Sequence, residues 1–459
     1  MSKYFNYKAL DQLRTDAESR AVAVTFDDDV SPLLQPLTVA GRAVGSRLAV
    51  HPMEGCDGTL EGAPGDLTFR RWERFGAGGA KIIWGEATAV VPEGRANPRQ
   101  LLLNETTAPE LERLLNQTRA AHRARFGRDE DLLVGLQLTH SGRWSYPNPI
   151  IARHSATIDP IKHTETTTLI DDTSLERLAE AYLRAAVTAH SLGFDFVDIK
   201  QCHTYLLNEI LGARNRHGPY GGSFENRSRF VRELLERIRS DAPGLILATR
   251  LNVFDGPRYT GAPGEFGVPV PDPDNPGWGT SADGLPDPAE PLALIGLLRD
   301  LGVAMVNVTM GSPYFNPHIG RPFERAPVDG YQPPEHPLTG VERHFRLTAA
   351  VQQAYPELTV LGTGYSWLRH FAANAGAANV AAGRVSVMGL GRGALAYPDF
   401  AADLAEAGSM DLRKACIGVS YCTALMRAKN NELGQFAAGC VPRDPLYAQE
   451  FKLAQKAGS

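Results

Sequence analysis

Short runs of apolar, mostly β-branched residues alternate along the chain with longer segments whose apolar residues recur at helical spacing. Eight of these runs have the length and composition of buried strands. They cover residues 48–53, 81–90, 132–140, 194–200, 245–251, 303–308, 358–363 and 385–389. The alternation contains no tandem repeat, so it predicts the α/β class and, more specifically, a closed parallel (β/α)8 TIM barrel.

The clearest strand-and-helix unit lies in the middle of the chain. Thr173 and Glu176 have the spacing of a capping box, which predicts the start of a helix. Apolar residues at helical spacing follow until Gly193, where the helix should end. The next run, 194–200, is then a barrel strand.

Long stretches rich in proline and glycine follow three of the predicted strands, at residues 142–168, 255–287 and 311–337. Each begins at the C-terminal end of a strand, where barrel enzymes build their active sites. We therefore expect these loops to surround the active site. The predicted organisation is an N-terminal extension (1–34), one barrel with decorated loops (35–400) and a C-terminal helical segment and tail packed on the barrel (401–459).

The composition favours a small molecule as the ligand over nucleic acid or a membrane. Lys and Arg total 47 against 52 Asp and Glu, and a net charge of -5 provides no basic surface for nucleic acid or an anionic membrane. The first residues lack a signal-peptide core, and no apolar run of about 18 residues is free of charge. The cysteines are too few and too scattered for a disulfide framework. We expect a cytoplasmic protein acting on a small molecule, and a homo-oligomer stays open.

Polar side chains cluster at the ends of the third and fourth predicted strands. Gln137 and His140 close the third strand, and Lys200, His203 and Tyr205 follow the fourth. Either cluster alone could be a buried structural network or a solvated loop. Parallel strands of a barrel end at the same rim, so the two clusters together favour an active site there.

Several motifs in register resemble the Old Yellow Enzyme and NADH:flavin oxidoreductase family over about residues 35–445. They are Gln-Leu-x-His-x-Gly-Arg from Gln137, Tyr-Leu-Leu-Asn from Tyr205, Tyr-Gly-Gly-Ser-x-Glu-Asn-Arg from Tyr220, His-Pro-Met from His51, Arg250, and Gly-Leu-Gly-Arg from Gly389. The order of several motifs is far more specific than any one of them. The resemblance implies an FMN-dependent oxidoreductase.

The resemblance also implies where FMN binds. The residues at the family's flavin positions are Pro52, Met53, Glu54, Ala87, Gln137, Arg250, Gly364, Tyr365, Gly391 and Arg392. A cation beside the flavin ring stabilises the reduced anion, and glycines let backbone N–H groups approach a phosphate. Gly389 and Gly391 could alternatively belong to a dinucleotide fingerprint, but Pro398 interrupts the helix that such a fingerprint needs.

In this family, two side chains hold the substrate's carbonyl oxygen while flavin N5 delivers hydride, and a tyrosine supplies the proton. Matching positions are Lys200 and His203 for the pair and Tyr205 for the proton donor. NADH or NADPH would reduce the flavin. Lys200 stands where the family usually has His, and it binds a substrate carboxylate or points to solvent. Glu54 replaces the usual Thr or Cys, and we expect its charge to lower the flavin potential.

The C-terminal cysteines resemble the cluster-binding segment of the dienoyl-CoA reductase and trimethylamine dehydrogenase branch. Cys416, Cys422 and Cys440 match ligand positions, but Val419 stands where the second of the four cysteine ligands belongs. We therefore expect no iron–sulfur cluster. Cys56 lies two residues beyond Glu54, an offset that favours a plain buried or loop cysteine over a flavin-tuning thiol.

The leading hypothesis is reduction of an activated C=C bond by an NAD(P)H-dependent ene-reductase. Oxidation of a small substrate, with or without a carboxylate, as in an amine dehydrogenase or demethylase, is the alternative. The likeness to the cluster-binding branch, Lys200 and Glu54 favour it. A flavin-binding barrel that has lost catalysis is the non-enzyme alternative. His51, His140 and His203 end strands but match no compact metal-ligand motif, so no metal site is expected.

Overall fold

Eight parallel strands form a closed barrel in the computed structural model, which describes residues 3–327, 330–429 and 431–457. The strands are β1 (Leu48–Val50), β2 (Ile82–Ala89), β3 (Leu133–Thr139), β4 (Phe196–Ile199), β5 (Ile246–Asn252), β6 (Val303–Thr309), β7 (Thr359–Gly362) and β8 (Val387–Leu390). Each strand pairs with its neighbours in chain order, and β8 closes the barrel on β1 with Met388 opposite Leu48. The predicted TIM barrel and all eight predicted strands are confirmed.

Helices separate the strands and cover the outside of the barrel. They are α1 (Leu10–Ser19), α2 (Asp66–Gly76), α3 (Ala108–Phe126), α4 (Asp172–Ser191), α5 (Leu206–Leu211), α6 (Phe224–Asp241), α7 (Ala289–Asp300), α8 (Pro317–Gly320), α9 (Pro337–Ala354), α10 (Ala372–Ala381), α11 (Arg392–Ala396), α12 (Phe400–Ala407), α13 (Tyr421–Arg427) and α14 (Pro445–Ala457). Short 3-10 helices occupy Ser31–Leu34, Pro92–Gly94, Gly142–Trp144, Asp159–Ile161 and Tyr365–Phe371. None of the helices in the described ranges is long and apolar enough to cross a membrane.

Helix α4 shows how local sequence places an element. Its N-cap is Asp171, whose carboxylate accepts a hydrogen bond from the Ser174 N–H at 2.6 Å. The capping box predicted at Thr173 is therefore wrong by two residues, because the stronger cap precedes it. The helix ends as expected before Gly193, which has a φ of 91° that few other residues tolerate.

The N-terminal half of the barrel interior is filled by side chains. Trp84 and Phe196 meet edge to face with ring centroids 4.9 Å apart. Gly135 makes room for them, since a Cβ there would lie 2.3 Å from the Phe196 ring. An antiparallel ribbon, Leu37–Val39 with Arg42–Val44, packs Val39 and Val44 into the same apolar cluster. The interior is thus closed at this end, and the site is confined to the C-terminal rim.

A buried ion network fixes the loop after β3. Arg143 is fully buried; its Nε donates to Glu209 at 2.5 Å, its Nη1 to Asp159 at 2.6 Å, and its Nη2 to the Arg153 carbonyl at 2.8 Å. The guanidinium joins α5 to two points of the loop, so it positions the rim. A second ribbon, Arg258–Thr260 with Val268–Val270, lies in the loop after β5.

Candidate active site

The C-terminal ends of the strands bring together five of the predicted site residues. Glu54 follows β1, Gln137 lies in β3, Lys200 and His203 follow β4, and Arg250 lies in β5. Gln137, Lys200 and His203 belong to a largely buried rim, and Lys200 is only 5% exposed. Lys200 therefore does not point into bulk solvent.

Asp198, on β4, organises the β3–β5 side of this site. Its Oδ1 accepts from the Arg250 backbone N–H at 2.6 Å, and its Oδ2 accepts from Gln137 Nε2 at 2.5 Å and Trp84 Nε1 at 2.7 Å. Burial raises the pKa of Asp198. These hydrogen bonds fix the Gln137 amide and the start of the Arg250 side chain. Sequence reasoning missed Asp198, because it is one carboxylate inside an apolar strand.

His51 is a structural histidine in the barrel interior. Its Nε2 donates to the Gly362 carbonyl at 3.0 Å, and its Nδ1 lies 2.9 Å from the Asn307 amide nitrogen. Burial lowers the pKa of His51 to about 3, so the ring is neutral. A Cβ on Gly389 would lie 2.1 Å from the imidazole, which requires glycine there.

His140, after β3, also uses a ring nitrogen in a hydrogen bond within the protein. His140 accepts the Gly142 N–H on Nδ1 at 3.0 Å, and burial lowers its pKa to about 4. The described residues contain no group of three or more His, Cys, Asp or Glu side chains arranged to hold a metal ion.

The loop after β4 has an unusual backbone. His203 and Thr204 both have positive φ, 62° and 58°, a conformation that costs energy for residues other than glycine. Two side-chain amides hold it: Asn252 Oδ1 accepts from the His203 N–H at 3.2 Å, and Asn208 Oδ1 from the Thr204 N–H at 2.6 Å. The His203 ring lies 3.3 Å from the Thr309 hydroxyl, and burial lowers its pKa well below the usual value. The imidazole is therefore neutral.

Lys200 and Tyr205 are in contact. The Lys200 ammonium lies 3.7 Å from the centre of the Tyr205 ring. Lys200 makes no ion pair with any residue that the structure describes. Burial lowers its pKa to about 8, while Cys202 and Glu54 act in the opposite direction. The site thus contains a buried cation that lacks a fixed counter-ion.

Glu54, after β1, is held at the same rim by side chains of neighbouring loops. Its Oε1 accepts hydrogen bonds from Asn97 Nδ2 and, at 3.7 Å, from the Cys56 thiol. Burial raises the pKa of Glu54 to about 7, and Lys200 opposes this shift. Cys56 is buried, with its thiol directed to Glu54, which agrees with the predicted buried cysteine.

Aromatic rings form a wall beside Tyr205. The Tyr205 and Tyr314 hydroxyls are hydrogen-bonded at 3.0 Å, and Tyr314 stacks on Trp144 with centroids 3.8 Å apart and an interplanar angle of 11°. Trp144 Nε1 donates to the Thr204 carbonyl at 3.1 Å. Sequence reasoning missed Tyr314 and Trp144. A signal was available in the aromatic residues that begin the loops after β3 and β6.

Two arginines with buried side-chain nitrogens lie in the loop after β6 (Arg321) and directly after β8 (Arg392). Arg392 donates through Nη2 to the Pro322 carbonyl at 2.8 Å, but its buried Nη1 has no hydrogen-bond partner among the residues that the structure describes. The same holds for Arg321 Nε and Nη2, which are also buried. Burial, and next the charge of Arg392, lower the pKa of Arg321 to about 9. Buried cationic groups with unused N–H donors can bind an anion, which would accept their hydrogen bonds and neutralise their charge.

The remaining predicted cofactor residues lie at the same rim or next to it. Gly364 has a φ of 93°, and a Cβ on Gly391 would lie 2.9 Å from the Met53 sulfur. The Tyr365 ring is not at the rim surface, because it packs against Phe345 and accepts a hydrogen bond from Asn379. Only the Tyr365 backbone is left to bind a ligand. Pro52 is buried directly after β1, and Ala87 is buried in β2 with its carbonyl accepting from Gln100 Nε2 at 3.1 Å.

Residues 32–261 match the NADH:flavin oxidoreductase / NADH oxidase family. The chain belongs to this family. Among curated proteins, this family member is 29% identical over 233 residues to an NADPH dehydrogenase of Halalkalibacterium halodurans, covering 50% of this chain and 61% of the relative. It is 30% identical over 236 residues to an NADPH dehydrogenase of Geobacillus sp. (strain WCH70), covering 50% and 62%. The chain thus spans about three fifths of the length of these relatives.

Solved structures of other proteins have the same fold as this chain. A complex of 2-naphthoyl-CoA reductase with 2-naphthoyl-CoA superposes with a TM-score of 0.67 at 17% identity, covering 92% of this chain and 58% of that one. An Old Yellow Enzyme homologue from Zymomonas mobilis gives 0.59 at 18% identity, covering 83% and 94%. Morphinone reductase in complex with tetrahydroNAD gives 0.58 at 18% identity, covering 83% and 92%.

The residues at the rim fit FMN, the cofactor that the family implies. Arg250 Nε is buried near the ordered Gln137 amide and has no hydrogen-bond partner in the described part of the chain, an arrangement that suits an anionic reduced ring. The unpartnered N–H groups of Arg321 and Arg392 suit a phosphate. Arg321 was not predicted, because it lies in the irregular loop after β6.

Proposed function

We propose that the chain is an FMN-dependent NAD(P)H oxidoreductase of the ene-reductase type, which reduces an activated C=C bond. The observation that supports this most directly is the arrangement after β4. A buried ammonium group, a neutral imidazole and a buried phenol, from Lys200, His203 and Tyr205, lie on one rim with Arg250. FMN, when bound, supplies the hydride for the alkene. Family membership and the NADPH dehydrogenase relatives support the same assignment.

In this proposal Arg250 and Gln137 hold the pyrimidine side of the flavin ring, with Pro52, Met53 and Ala87 lining it. Arg392 and Arg321 hold the phosphate together with backbone N–H groups of Gly364, Tyr365 and Gly391. A buried arginine beside the ring stabilises the negative charge that the ring gains on reduction. Glu54 acts in the opposite sense when it is ionised.

The side chains after β4 act on the substrate. Lys200 and the N–H of the neutral His203 ring donate to the substrate's carbonyl or carboxylate oxygen, which gains charge as hydride arrives at the β-carbon. The Tyr205 hydroxyl gives its proton to the α-carbon. The strained backbone of His203, held by Asn252, fixes the imidazole in place.

We propose an α,β-unsaturated acid as the substrate class. Lys200 is a cation below about pH 8, the value to which burial lowers its pKa, and it makes no ion pair among the described residues. A substrate carboxylate would supply the missing counter-charge. The free cysteines and balanced charge support a cytoplasmic location, which is also proposed.

Oxidation of an amine is a second candidate, supported by the wall of Trp144, Tyr205 and Tyr314. Stacked aromatic rings can bind a substrate cation. Lys200 already occupies the face of Tyr205, however, and would repel a cationic amine. We therefore favour the unsaturated acid.

The test is an absorbance spectrum of the purified protein followed by anaerobic addition of NADH and then NADPH. We expect a flavin spectrum that bleaches and then recovers when an unsaturated acid is added. Protein reconstituted with FMN that retains no flavin would refute the cofactor. Flavin that neither nicotinamide reduces but a small amine does would favour the second candidate.

A further inference from the structure

The Tyr205 hydroxyl has one hydrogen-bond partner among the described residues, the Tyr314 hydroxyl at 3.0 Å. Tyr205 is 6% exposed. If Tyr205 protonates carbon, as the proposed function requires, it is left as a buried phenolate. Burial of a charge is costly, and burial already raises the pKa of Tyr205 well above its usual value. The phenolate therefore needs a proton before the next turnover.

Tyr314 is placed to deliver that proton. It is partly exposed, in contrast to Tyr205, and it follows the partly exposed Pro313 in the loop after β6. A proton that reaches the Tyr314 hydroxyl needs one further transfer to arrive at Tyr205. Sequence patterns gave no role to Tyr314.

The position of Tyr314 is rigid. Its ring stacks on Trp144, and its backbone N–H donates to Ser312 Oγ at 3.4 Å. Ser312 Oγ in turn lies 3.1 Å from Thr204 Oγ1, next to Tyr205 in the chain. These contacts join the loops after β4 and β6, so the two phenols keep their distance without relying on the hydrogen bond between them.

We infer that Tyr314 is a positioning and proton-relay residue that acts through Tyr205. This inference rests on the proposed function. NAD(P)H is oxidised and, with FMN as the carrier when it is bound, supplies a hydride (two electrons and one proton) that forms a C–H bond at the substrate's β-carbon, and the C=C π bond breaks. The α-carbon then forms a bond to the proton of the Tyr205 hydroxyl. In the same step the Tyr314 hydroxyl passes its proton to the Tyr205 oxygen. Solvent then protonates Tyr314, so each turnover consumes one solvent proton.

The test uses the FMN-loaded protein and the variant Y314F, which removes the hydroxyl and retains the ring that stacks on Trp144. We expect steady-state alkene reduction with NAD(P)H to slow by roughly tenfold or more, because general acids contribute on the order of 10²–10⁴-fold. Flavin reduction by NAD(P)H and electron transfer to ferricyanide should be unchanged, since neither needs the proton at carbon. Y146F is the matched control, because Tyr146 is 46% exposed on another rim loop.

A proton inventory separates a relay from packing. We measure the steady-state rate of alkene reduction in mixtures of H2O and D2O. When two protons move in the rate-limiting step, the plot of rate against the D2O fraction is curved, and we expect this for the unmodified protein. Y314F, with one proton moving, should give a straight plot. Y314H keeps an N–H donor and should recover part of the rate. If Y314F does not fold, Y314H with a curved plot supports the relay, and Y314H with a straight plot contradicts it.

The outcomes distinguish the inference from the proposed function. Unmodified protein that reduces no alkene refutes the proposed function. If it reduces alkenes and Y314F matches it in rate and in plot shape, the relay is refuted. A slower Y314F with an unchanged curved plot also refutes the relay and leaves Tyr314 as a packing residue.

Discussion

The ammonium nitrogen of Lys200 lies 3.7 Å from the centre of the Tyr205 ring, so the cation and the phenol that follow β4 are in direct contact. A cation over an aromatic face is attracted to it, and the attraction increases when the ring becomes a phenolate. Lys200 thus has two roles in the proposed reaction. It attracts the substrate's anionic group and stabilises the negative charge that proton donation leaves on Tyr205.

Replacing Lys200 by methionine should raise KM for an unsaturated acid about tenfold or more. A hydrogen bond to a charged group is worth about 1.5–3 kcal/mol, and about 1.4 kcal/mol is a factor of ten. The measurement is steady-state kinetics with the acid and with its neutral amide as the matched control. An equal increase for both substrates would contradict a role for the charge.

The same lysine should give a pH dependence. Lys200 is charged below its pKa of about 8, so KM of the unmodified protein for the acid should rise as the pH increases through about 8. KM for the amide should change much less, and K200M should lose the rise with the acid. A rise that persists in K200M would assign the titration to another group.

Glu54→Gln should raise the flavin midpoint potential by tens of millivolts under alkaline conditions. The carboxylate is ionised above its pKa of about 7, and a negative charge near the ring disfavours the reduced anion. Below this pH Glu54 is protonated, so the potentials of the variant and the unmodified protein should converge. Anaerobic redox titration across the pH range measures this. A shift that is equal at both ends of the range would show that Glu54 acts through structure and not through charge.

Arg321→Gln should weaken FMN binding while affecting riboflavin much less. The phosphate loses one of two buried guanidinium groups, and charge-assisted hydrogen bonds of this kind are worth about 1.5–3 kcal/mol. Flavin fluorescence titration of the apoprotein with FMN and with riboflavin gives the two affinities. Arg325→Gln is the control, since Arg325 is an exposed arginine four residues away. An equal loss of affinity for FMN and for riboflavin would show that Arg321 does not bind the phosphate.

The barrel was predictable because each strand is a local apolar run whose period and length are visible in sequence. The rim clusters were predictable in part, since Gln137, Lys200 and Arg250 lie in or directly after those runs. Tyr314 and Arg321 were missed for a physical reason. They lie in irregular loop segments that no periodic pattern marks, and the position of Tyr314 is set by stacking on Trp144, a residue distant in the chain.

Arg143→Met should destabilise the fold by about 3–5 kcal/mol, because removal of one partner leaves buried charges uncompensated. Glu209 and Asp159, each 6% exposed or less in their side chains, would lose the guanidinium that joins α5 to the loop after β3. Urea unfolding at neutral pH measures the loss as a lower midpoint. Arg113→Met is the control, because Arg113 is 62% exposed in an i,i+3 pair with Glu110, and such pairs contribute about 1 kcal/mol or less. If R143M is as stable as R113M at neutral pH, the network does not hold the rim, and loop placement must come from the apolar contacts of Trp144 with Ile158 and Phe315.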